Sequence, residues 1–453
     1  MKETTIDLYN LSKEQMDDYS KNVMVGGGTP GPCLVGGKGI EVFDSDGKSY
    51  IDCTSQSWAM YLGYANEEIR EAVYKHMSVM SHIHQGFDTP SRYALAHRLA
   101  QIAPAGMNRV SFTVGGGLAI EAAMKIALKN TSGAKNFITL WDAYHGTTFG
   151  TYGASWISTR SAGKYLGIKN FIGSVNTNFV RVPNPYCYRC PFGRSKDSCQ
   201  MECAGQLEET LKRGVIGQTA GVILEPLQAS GGQIPMPKGY LKRVREICDE
   251  FEAVLIYDEI QTYCRIGEFF AAEHYDVAPD IIVLGKGLGA GLPIAAIIIH
   301  DRLEGFEISQ AEELHTFANN SVSQLAALKQ IEIIQRDNLL ENTRNVGEYI
   351  ASKLSDMQKE FPEIGDIRQV GLHIGVEMVK DPLSKVEMDV QLSKKIKDTA
   401  LENGLILGTA GFRKNILKVK PPLITNHSQA DEIISRFEMT LKQVLRQEDK
   451  VGK

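Results

Sequence analysis

Residues 253–291 read AVLIYDEIQTYCRIGEFFAAEHYDVAPDIIVLGKGLGAG, and two short apolar runs lie within them. Val254–Tyr257 and Ile281–Leu284 are too short for buried helices and are rich in branched side chains. Each run therefore predicts a strand buried on both faces, which is typical of a parallel sheet covered by helices. Strand and helix patterns alternate along the rest of the chain, so we expect a mostly parallel, doubly wound α/β sheet.

An acid and a lysine follow these two predicted strands. Asp258 closes the first strand, and Lys286 stands just past the second between two glycines. Ligands of open α/β sheets bind at the carboxyl ends of strands, although a single charge at a strand end often only faces water. A lysine amine in an apolar pocket has a depressed pKa and can form a Schiff base with an aldehyde. Together with a carboxylate that keeps a pyridine nitrogen protonated, such a lysine indicates pyridoxal phosphate chemistry.

The motifs DEIQT at 258–262 and PDIIVLGKGLGAGLP at 279–293 resemble those of the class III (ω-amino-acid) aminotransferases, which are fold type I pyridoxal phosphate enzymes. The resemblance extends over nearly the whole chain. It implies that Asp258 pairs with the pyridine nitrogen, that Gln261 contacts the ring-oxygen side and that Lys286 holds pyridoxal 5'-phosphate. It also implies a large cofactor domain and a small α+β domain made from both chain ends.

Length and composition limit the class of protein. A chain of 453 residues suggests two domains, and we predict a large domain at 63–325 and a small one built from 1–62 and 326–453. A net charge of −5 gives no reason to expect nucleic acid or an acidic membrane as a partner. The N-terminal residues contain no apolar core segment, and eight cysteines are too few for a disulfide scaffold. These features predict a cytoplasmic protein.

A triple glycine at 115–117 separates the predicted strand Arg109–Val114 from the predicted helix Ala119–Asn130. A strand, a glycine turn and a helix start form an anion site, because free backbone N–H groups and the helix dipole converge there. The resemblance implies that Gly116 and Gly117 bind the cofactor phosphate. Gly117 stands where the family has Ser or Thr, so one hydroxyl contact is lost while the backbone amides remain.

Other site residues are implied by the resemblance. Tyr144 matches the family's aromatic residue that stacks on the pyridine face, and the adjacent His145 is either an acid–base group or a structural hydrogen-bonding histidine. Glu225, in the motif EPLQ, matches a glutamate that lies over the cofactor, unless it faces water. Trp58 lies in a segment that family members place near the substrate, unless it is only a core residue.

The segment NILKVKPPL at 415–423 departs from the family. Aminotransferases of this family usually carry an arginine that clamps the substrate α-carboxylate at the position of Lys418. A lysine offers one mobile point charge instead of a planar fork, so the change is not conservative. Lys420, on the same strand face, adds a second charge in the site, or both lysines lie on a strand face exposed to water. A lysine here also resembles the family's lyase members.

Half of the cysteines fall in one insertion, Pro183–Cys203. The spacing of Cys187, Cys190, Cys199 and Cys203 would suit zinc, but the family's chemistry needs no metal, and free or redox-linked cysteines are the alternative. We assign no metal to the catalytic site.

The segment LHTFANN at 314–320 resembles the family loop whose threonine reaches the partner's cofactor phosphate. By this match Thr316 implies a homodimer. The loop Tyr263–Gly267 is shorter than in the family, which leaves the shape of the pocket open.

The remaining elements follow from periodicity and turn residues. We expect a loop at Gly26–Gly39, a hairpin from Ile40–Phe43 and Ser49–Cys53, and strands at Phe137–Leu140, Ala220–Glu225, Val370–Met378, Leu405–Leu407 and Ile416–Leu423. We expect helices at Leu8–Asn22, Glu67–Met80, Tyr93–Ile102, Ala204–Arg213 and Gly239–Phe251, and a long helical stretch from Ser323 to Lys359.

The sequence thus favours a pyridoxal-phosphate-dependent aminotransferase that moves an amino group from an amine or (ω-)amino acid to a keto acid. Lys286 would be both the Schiff-base lysine and the group that moves the proton. The alternatives on the same fold are a lyase that eliminates phosphate or ammonia and an amino-acid racemase or epimerase. A dinucleotide-binding protein is disfavoured, because the spaced GxGxxG motif is missing. The sequence identifies neither the donor nor the acceptor.

Overall fold

The structure is a computed structural model that describes residues 6–24, 31–155, 160–161, 164–165, 178–195 and 197–446. Its centre is a seven-stranded sheet in the order Met107–Thr113, Ala295–His300, Ile281–Leu284, Val254–Asp258, Thr219–Leu224, Asn136–Leu140 and Phe179–Val182. Ala295–His300 runs antiparallel to both neighbours, and the other pairs are parallel. The predicted mostly parallel α/β sheet is therefore confirmed.

Two smaller sheets are formed largely by residues near the ends of the chain. One contains Leu34–Lys38, Glu41–Asp44, Ser49–Asp52 and Leu405–Ile406. The other contains Ile364–Val370, His373–Asp381, Ile416–Val419 and Gly408–Ala410, with Val386–Glu387 beside it. Two-stranded ribbons pair Leu227–Gln228 with Ile234–Pro235 and Arg160–Ser161 with Lys164–Tyr165. The domain division expected at residues 62 and 325 stays a prediction.

The described helices are Lys13–Ser20, Glu67–Met77, Pro90–Ile102, Gly116–Asn130, Glu202–Arg213, Ala229–Gly232, Tyr240–Glu250, Ala271–Tyr275, Ser321–Arg336, Leu339–Met357, Val390–Glu402 and His427–Leu445. Tight turns lie at Ser55–Trp58, Cys187–Arg189, Lys286–Gly289 and Ile308–Gln310. None of these helices combines the length and the apolar character that crossing a membrane requires.

Helices cover both faces of the central sheet. Gly116–Asn130 packs its alanine- and isoleucine-rich side on one face, and Glu202–Arg213 and Tyr240–Glu250 pack on the other. A third core joins Pro90–Ile102 and the helices after Ser321 to the small sheets. The carboxyl ends of the central parallel strands are left uncovered by these layers, which is where a ligand site is expected.

Several expected elements have different bounds. The loop expected at Gly26–Gly39 contains a strand, Leu34–Lys38, while residues 25–30 lie outside the described part. The first helix is shorter than expected, because a capping box at Ser12 starts it only at Lys13.

Two long expected elements are broken by residues with left-handed backbone. The strand expected at Val370–Met378 is the turn and part of both arms of a hairpin, because Gly371 has φ +55° and a Cβ there would meet a backbone oxygen at 2.5 Å. The helical stretch expected from Ser323 to Lys359 is two helices, separated at Asn338, where φ is 51°. Helices at Val390–Glu402 and His427–Leu445 were not expected.

Candidate active site

The carboxyl edge of the central sheet brings Lys286, Asp258 and Glu225 to one cavity of about 160 Å³. Each follows or ends a buried strand, and the strands before Asp258 and Lys286 are parallel neighbours. Other residues lining the cavity are Gly116, Gly117, Tyr144, His145, Gly146, Ile260 and Gln261. The acid and the lysine expected at one site therefore do lie together.

Asp258 is buried and oriented by hydrogen bonds. One carboxylate oxygen lies 2.8 Å from Nδ1 of His145, and the other accepts the backbone N–H of Ile260 at 3.2 Å. The backbone N–H of His145 is in turn bound to Ser155. Because an ionised carboxylate can only accept, His145 donates from Nδ1, and this favours the structural interpretation of His145.

Glu225 holds the segment that carries Tyr144. Its carboxylate accepts the backbone N–H of Tyr144 at 3.0 Å and that of Ala229 at 2.9 Å. Burial raises the pKa of Glu225 to about 7, and the charge of Asp258 adds to this effect. Glu225 therefore does not face water, which excludes the alternative.

The glycine turn leaves a cradle beside the helix start. The helix Gly116–Asn130 has no side-chain cap on its first N–H groups. A Cβ on Gly116 would meet Ile260 at 2.6 Å, and one on Gly117 would meet Thr148 at 3.0 Å. Uncapped backbone N–H groups beside a Cβ-free surface suit a phosphate, so these residues fit the phosphorylated cofactor implied by the resemblance.

Lys286 itself has a left-handed backbone, with φ 45°, and its side chain lines the cavity. Burial lowers the pKa of Lys286, and the carboxylates of Asp258 and Glu225 oppose this shift. Its Nζ lies 5.7 Å from the centre of the Trp58 ring. A buried amine with a lowered pKa fits attachment to an aldehyde.

Trp58 is shared by three lysines. Besides Lys286, Lys418 Nζ lies 4.2 Å and Lys420 Nζ 4.7 Å from the ring centre. Trp58 ends a run, Ser55–Trp58, in which all four residues have positive φ although none is glycine. Such strained backbone persists only where the surroundings hold it, and it is concentrated at functional sites.

The two lysines after Asn415 are buried, so the expectation of a strand face exposed to water is wrong for both. Lys418 is 8 % exposed, and Lys420 is 0 % exposed. Burial lowers the pKa of Lys418 to about 7, and the nearby charges of Lys414 and Lys286 contribute. Gly408 leaves room for this side chain, because a Cβ there would lie 2.6 Å from Cε of Lys418.

One expected site residue and the cysteine insertion lie away from this cavity. Thr316 is exposed and does not line it. Within the described residues, no three His, Cys, Asp or Glu side chains come together to hold a metal, so the four cysteines of the insertion form no zinc site there.

Two buried residues near the cavity were missed. Arg265 is fully buried and donates to Pro421 O at 2.7 Å and to Ser55 Oγ at 3.1 Å, which ties the shortened loop to the strained turn before Trp58. His373 lies 2.8 Å from Lys420. Arg265 lies in the Tyr263–Gly267 loop, whose departure from the family was noted without a role for the arginine, and His373 stands in no motif with meaningful spacing.

Comparisons with known proteins agree with this geometry. A leucine/methionine racemase of Thermococcus litoralis is 34% identical over 92% of this chain and 91% of its own. A probable 4-aminobutyrate aminotransferase of Bacillus subtilis is 32% identical over 98% of this chain and 100% of its own. The crystal structure of a Bacillus anthracis aminotransferase superposes with a TM-score of 0.86 at 26% identity, covering 96% of this chain and all of that one.

Residues 28–441 match the sequence model of the family described as aminotransferase class-III. The cofactor of that family is pyridoxal phosphate, and the cradle and lysine described above fit it. The chain belongs to the class-III aminotransferases and is a pyridoxal-phosphate-dependent transaminase.

Proposed function

We propose that this transaminase moves an amino group between an anionic amine or ω-amino acid and a keto acid, and that Lys286 is its cofactor lysine. The observation that carries the assignment is that Lys286, Asp258 and the glycine cradle line one cavity. When bound there, pyridoxal phosphate supplies the electron-withdrawing ring that stabilises negative charge on the substrate carbon. Gly116 and Gly117 would hold its phosphate, Tyr144 its ring face, and Gln261 its ring-oxygen side.

The proton chemistry is assigned to Lys286. Asp258, already fixed by His145, supplies the negative charge opposite a ring nitrogen and needs no rearrangement to do so. Lys286 Nζ, with its pKa lowered by burial, is the base that takes a proton from the substrate carbon and returns it.

We assign the anionic group of the substrate to Lys418 and Trp58. The ammonium of Lys418 is buried and lies over the Trp58 ring. Among the described residues it has no carboxylate partner. A desolvated cation without a counter-ion is costly, and an incoming carboxylate or sulfonate relieves that cost. The 4-aminobutyrate named for the Bacillus subtilis relative carries such a carboxylate.

Amino donors and acceptors are tested together. Purified holoenzyme is incubated with 4-aminobutyrate, β-alanine, taurine and a neutral alkyl amine, each with and without pyruvate or 2-oxoglutarate. We expect product from the anionic donors only when a keto acid is present. Product without an acceptor, accompanied by free ammonia, would instead identify a lyase.

A racemase is the second candidate, because the Thermococcus litoralis relative carries that name at 34% identity. The same incubation decides it, with L-leucine or L-methionine and no keto acid. Loss of optical rotation without any keto acid formed would move the assignment to racemisation.

We further propose a homodimer in which Thr316 reaches the partner's cofactor phosphate. Support comes from an apolar surface around that loop: Phe317 is 59 % and Phe87 65 % exposed, and Asn319 ties the two segments together through Phe87 O. Light scattering after size-exclusion chromatography should give twice the chain mass, and Thr316→Ala should weaken cofactor binding. A monomer with unchanged cofactor affinity in Thr316→Ala would contradict this.

We also propose that the protein works in the cytoplasm. No disulfide joins any of the eight cysteines, all of which lie in the described part of the chain, and this suits a reducing compartment. Fractionation of expressing cells with an antibody to the chain tests this location.

A further inference from the structure

Lys420 and His373 form a buried pair behind the cavity wall. The antiparallel register pairs Ile374 with Val419, so the next position along each strand brings His373 opposite Lys420. Nζ of Lys420 lies 2.8 Å from Nε2 of His373, and both residues are almost without solvent exposure, at 0 % and 1 %. No step proposed above uses either of them.

Three uncharged acceptors surround Nζ of Lys420. It donates to Oε1 of Gln261 at 3.2 Å, lies 2.8 Å from Nε2 of His373 and lies 4.7 Å from the centre of the Trp58 ring. These acceptors are uncharged, so Lys420 is not arranged to receive a substrate anion as Lys418 is. Lys420 was expected to offer a second positive charge to the substrate. Its contacts indicate a different role.

Burial and the surrounding charges disfavour protonation of both residues at once. Burial lowers the pKa of Lys420 well below its ordinary value, and Arg265, Lys418 and Lys286 lower it further while Glu225 opposes them. Burial and the charge of Lys420 lower the pKa of His373 well below its ordinary value. Two cations 2.8 Å apart in a dry interior are excluded by their mutual repulsion.

The hydrogen bond to Gln261 fixes the direction of its carboxamide. Nζ of Lys420 donates to Oε1 of Gln261, so the NH₂ group of Gln261 is turned away from Lys420. The NH₂ group of Gln261 therefore faces the cavity, where Gln261 is part of the lining.

We propose that Lys420, supported by His373, is a positioning residue that orients Gln261 so that its NH₂ group donates to an oxygen of the bound cofactor. This inference rests on the proposed function, because it needs pyridoxal phosphate in the cavity.

The test measures the cofactor and not only turnover. In holoenzyme, Lys420→Met should raise the Kd for pyridoxal 5'-phosphate about 10-fold, the expected size for a lost hydrogen bond to a charged group. It should also move the pH midpoint of the bound cofactor's visible absorbance upward by roughly one unit, because the cofactor's anionic oxygen loses a donor. His373→Phe should shift both in the same direction by less, which covers the case that Lys420→Met does not fold.

A double-mutant cycle separates positioning from general damage. If Lys420 acts through Gln261, Lys420→Met adds nothing to the Kd and midpoint of Gln261→Ala. Val419→Ala, at the neighbouring position whose side chain points to the opposite face, should lower stability and leave the midpoint unchanged.

Additive effects of Lys420→Met and Gln261→Ala on the Kd and midpoint would overturn this inference but not the proposed function. A wild-type midpoint in both Lys420→Met and His373→Phe would do the same. A wild-type protein without any cofactor absorbance would overturn the proposed function, and this inference with it.

Discussion

Two groups of buried charges lie on neighbouring strands of one small sheet and are built in opposite ways. The first surrounds Glu377 on the strand His373–Asp381, and the second contains Lys418 on the strand Ile416–Val419. The register pairs Glu377 with Ile416 and Gly375 with Lys418, so the groups are two residues apart along the sheet.

The Glu377 group is fully paired. Its carboxylate accepts from Arg189 Nε at 2.5 Å, from Arg368 Nη1 at 2.7 Å and from the hydroxyl of Tyr186. Arg368 also donates to Gly232 O at 2.8 Å. Tyr186 and Arg189 belong to the cysteine-bearing insertion. Their bonds to Glu377 therefore fasten this insertion to the small sheet, and we call this contact a structural clamp.

The Lys418 group is left without counter-ions. Lys418, Lys420 and Lys286 all lie over the Trp58 ring, and the described carboxylates form no ion pair with either of the first two. Removing one partner of a buried ion pair leaves an uncompensated charge and is strongly destabilising, whereas replacing a buried cation that has no partner removes a cost. The same small sheet thus carries one paired group of buried charges and one unpaired group.

The largest effect on activity is expected for Lys286, the lysine that a transaminase and a racemase would both require. Lys286→Ala should lose the visible absorbance of bound cofactor and lower kcat by roughly 10³–10⁴-fold, because the attachment point and the base are removed. Steady-state kinetics and absorbance spectra measure this. Lys359→Ala, an exposed lysine paired only with Asp356, is the matched control and should behave as wild type. Wild-type spectra in Lys286→Ala would refute its assignment.

A second prediction concerns the paired group. Glu377→Gln should lower the free energy of unfolding by about 3–5 kcal/mol, because Arg189 and Arg368 lose the buried carboxylate that they share and keep only the more exposed Glu387 and Asp366 as charged partners. Urea unfolding measures this change, and kcat/KM of the folded enzyme should stay within a few-fold of wild type. Glu363→Gln, which breaks the more exposed pair with Arg446, should cost under about 1 kcal/mol. Equal costs for both variants would show that the Glu377 group is not a structural clamp.

Substitution of Lys418 in the unpaired group should weaken substrate binding without lowering stability. Lys418→Met should raise KM for anionic donors and keto acids by about 10- to 100-fold, since one charge-assisted hydrogen bond is lost. Its free energy of unfolding should stay the same or rise, because an unpaired buried cation is removed. KM for a neutral amine donor is the internal control. If KM for the neutral amine rises as much as for the anionic donors, Lys418 does not bind the anion.

The smallest effect is a pH dependence. With a pKa of about 7, Lys418 is a cation below that pH and neutral above it. Affinity for anionic substrates should therefore be highest below pH 7 and fall as the pH rises through 7, by up to about 10-fold per unit. Glu225, with a pKa raised to about 7, becomes negative over the same range and acts in the same direction. Measuring KM from pH 6 to 9 in wild type and Lys418→Met isolates the lysine, because its part of the slope should vanish in the variant.

Much of the central sheet could be predicted from the sequence. Val254–Tyr257 and Ile281–Leu284 were recognised as buried strands by their length and branched side chains, and both are strands in the structure. Element boundaries set by a single residue with left-handed backbone were harder to predict. Gly371 and Asn338 break a predicted strand and a predicted helix, and no periodicity distinguishes a left-handed residue from its neighbours.

The sequence by itself determined the strand pattern, the chemistry at the strand ends and the family, because each of these depends on residues that are close together in the chain. Only the tertiary structure decided which buried charges are paired. Tyr186 meets Glu377 and Gln261 meets Lys420 across more than 150 residues of chain, and whether a lysine is exposed or buried depends on what folds over it. Lys418 and Glu377 are each a single charge on a predicted strand, and only the fold gives Glu377 its arginine partners while it leaves Lys418 without a carboxylate partner among the described residues.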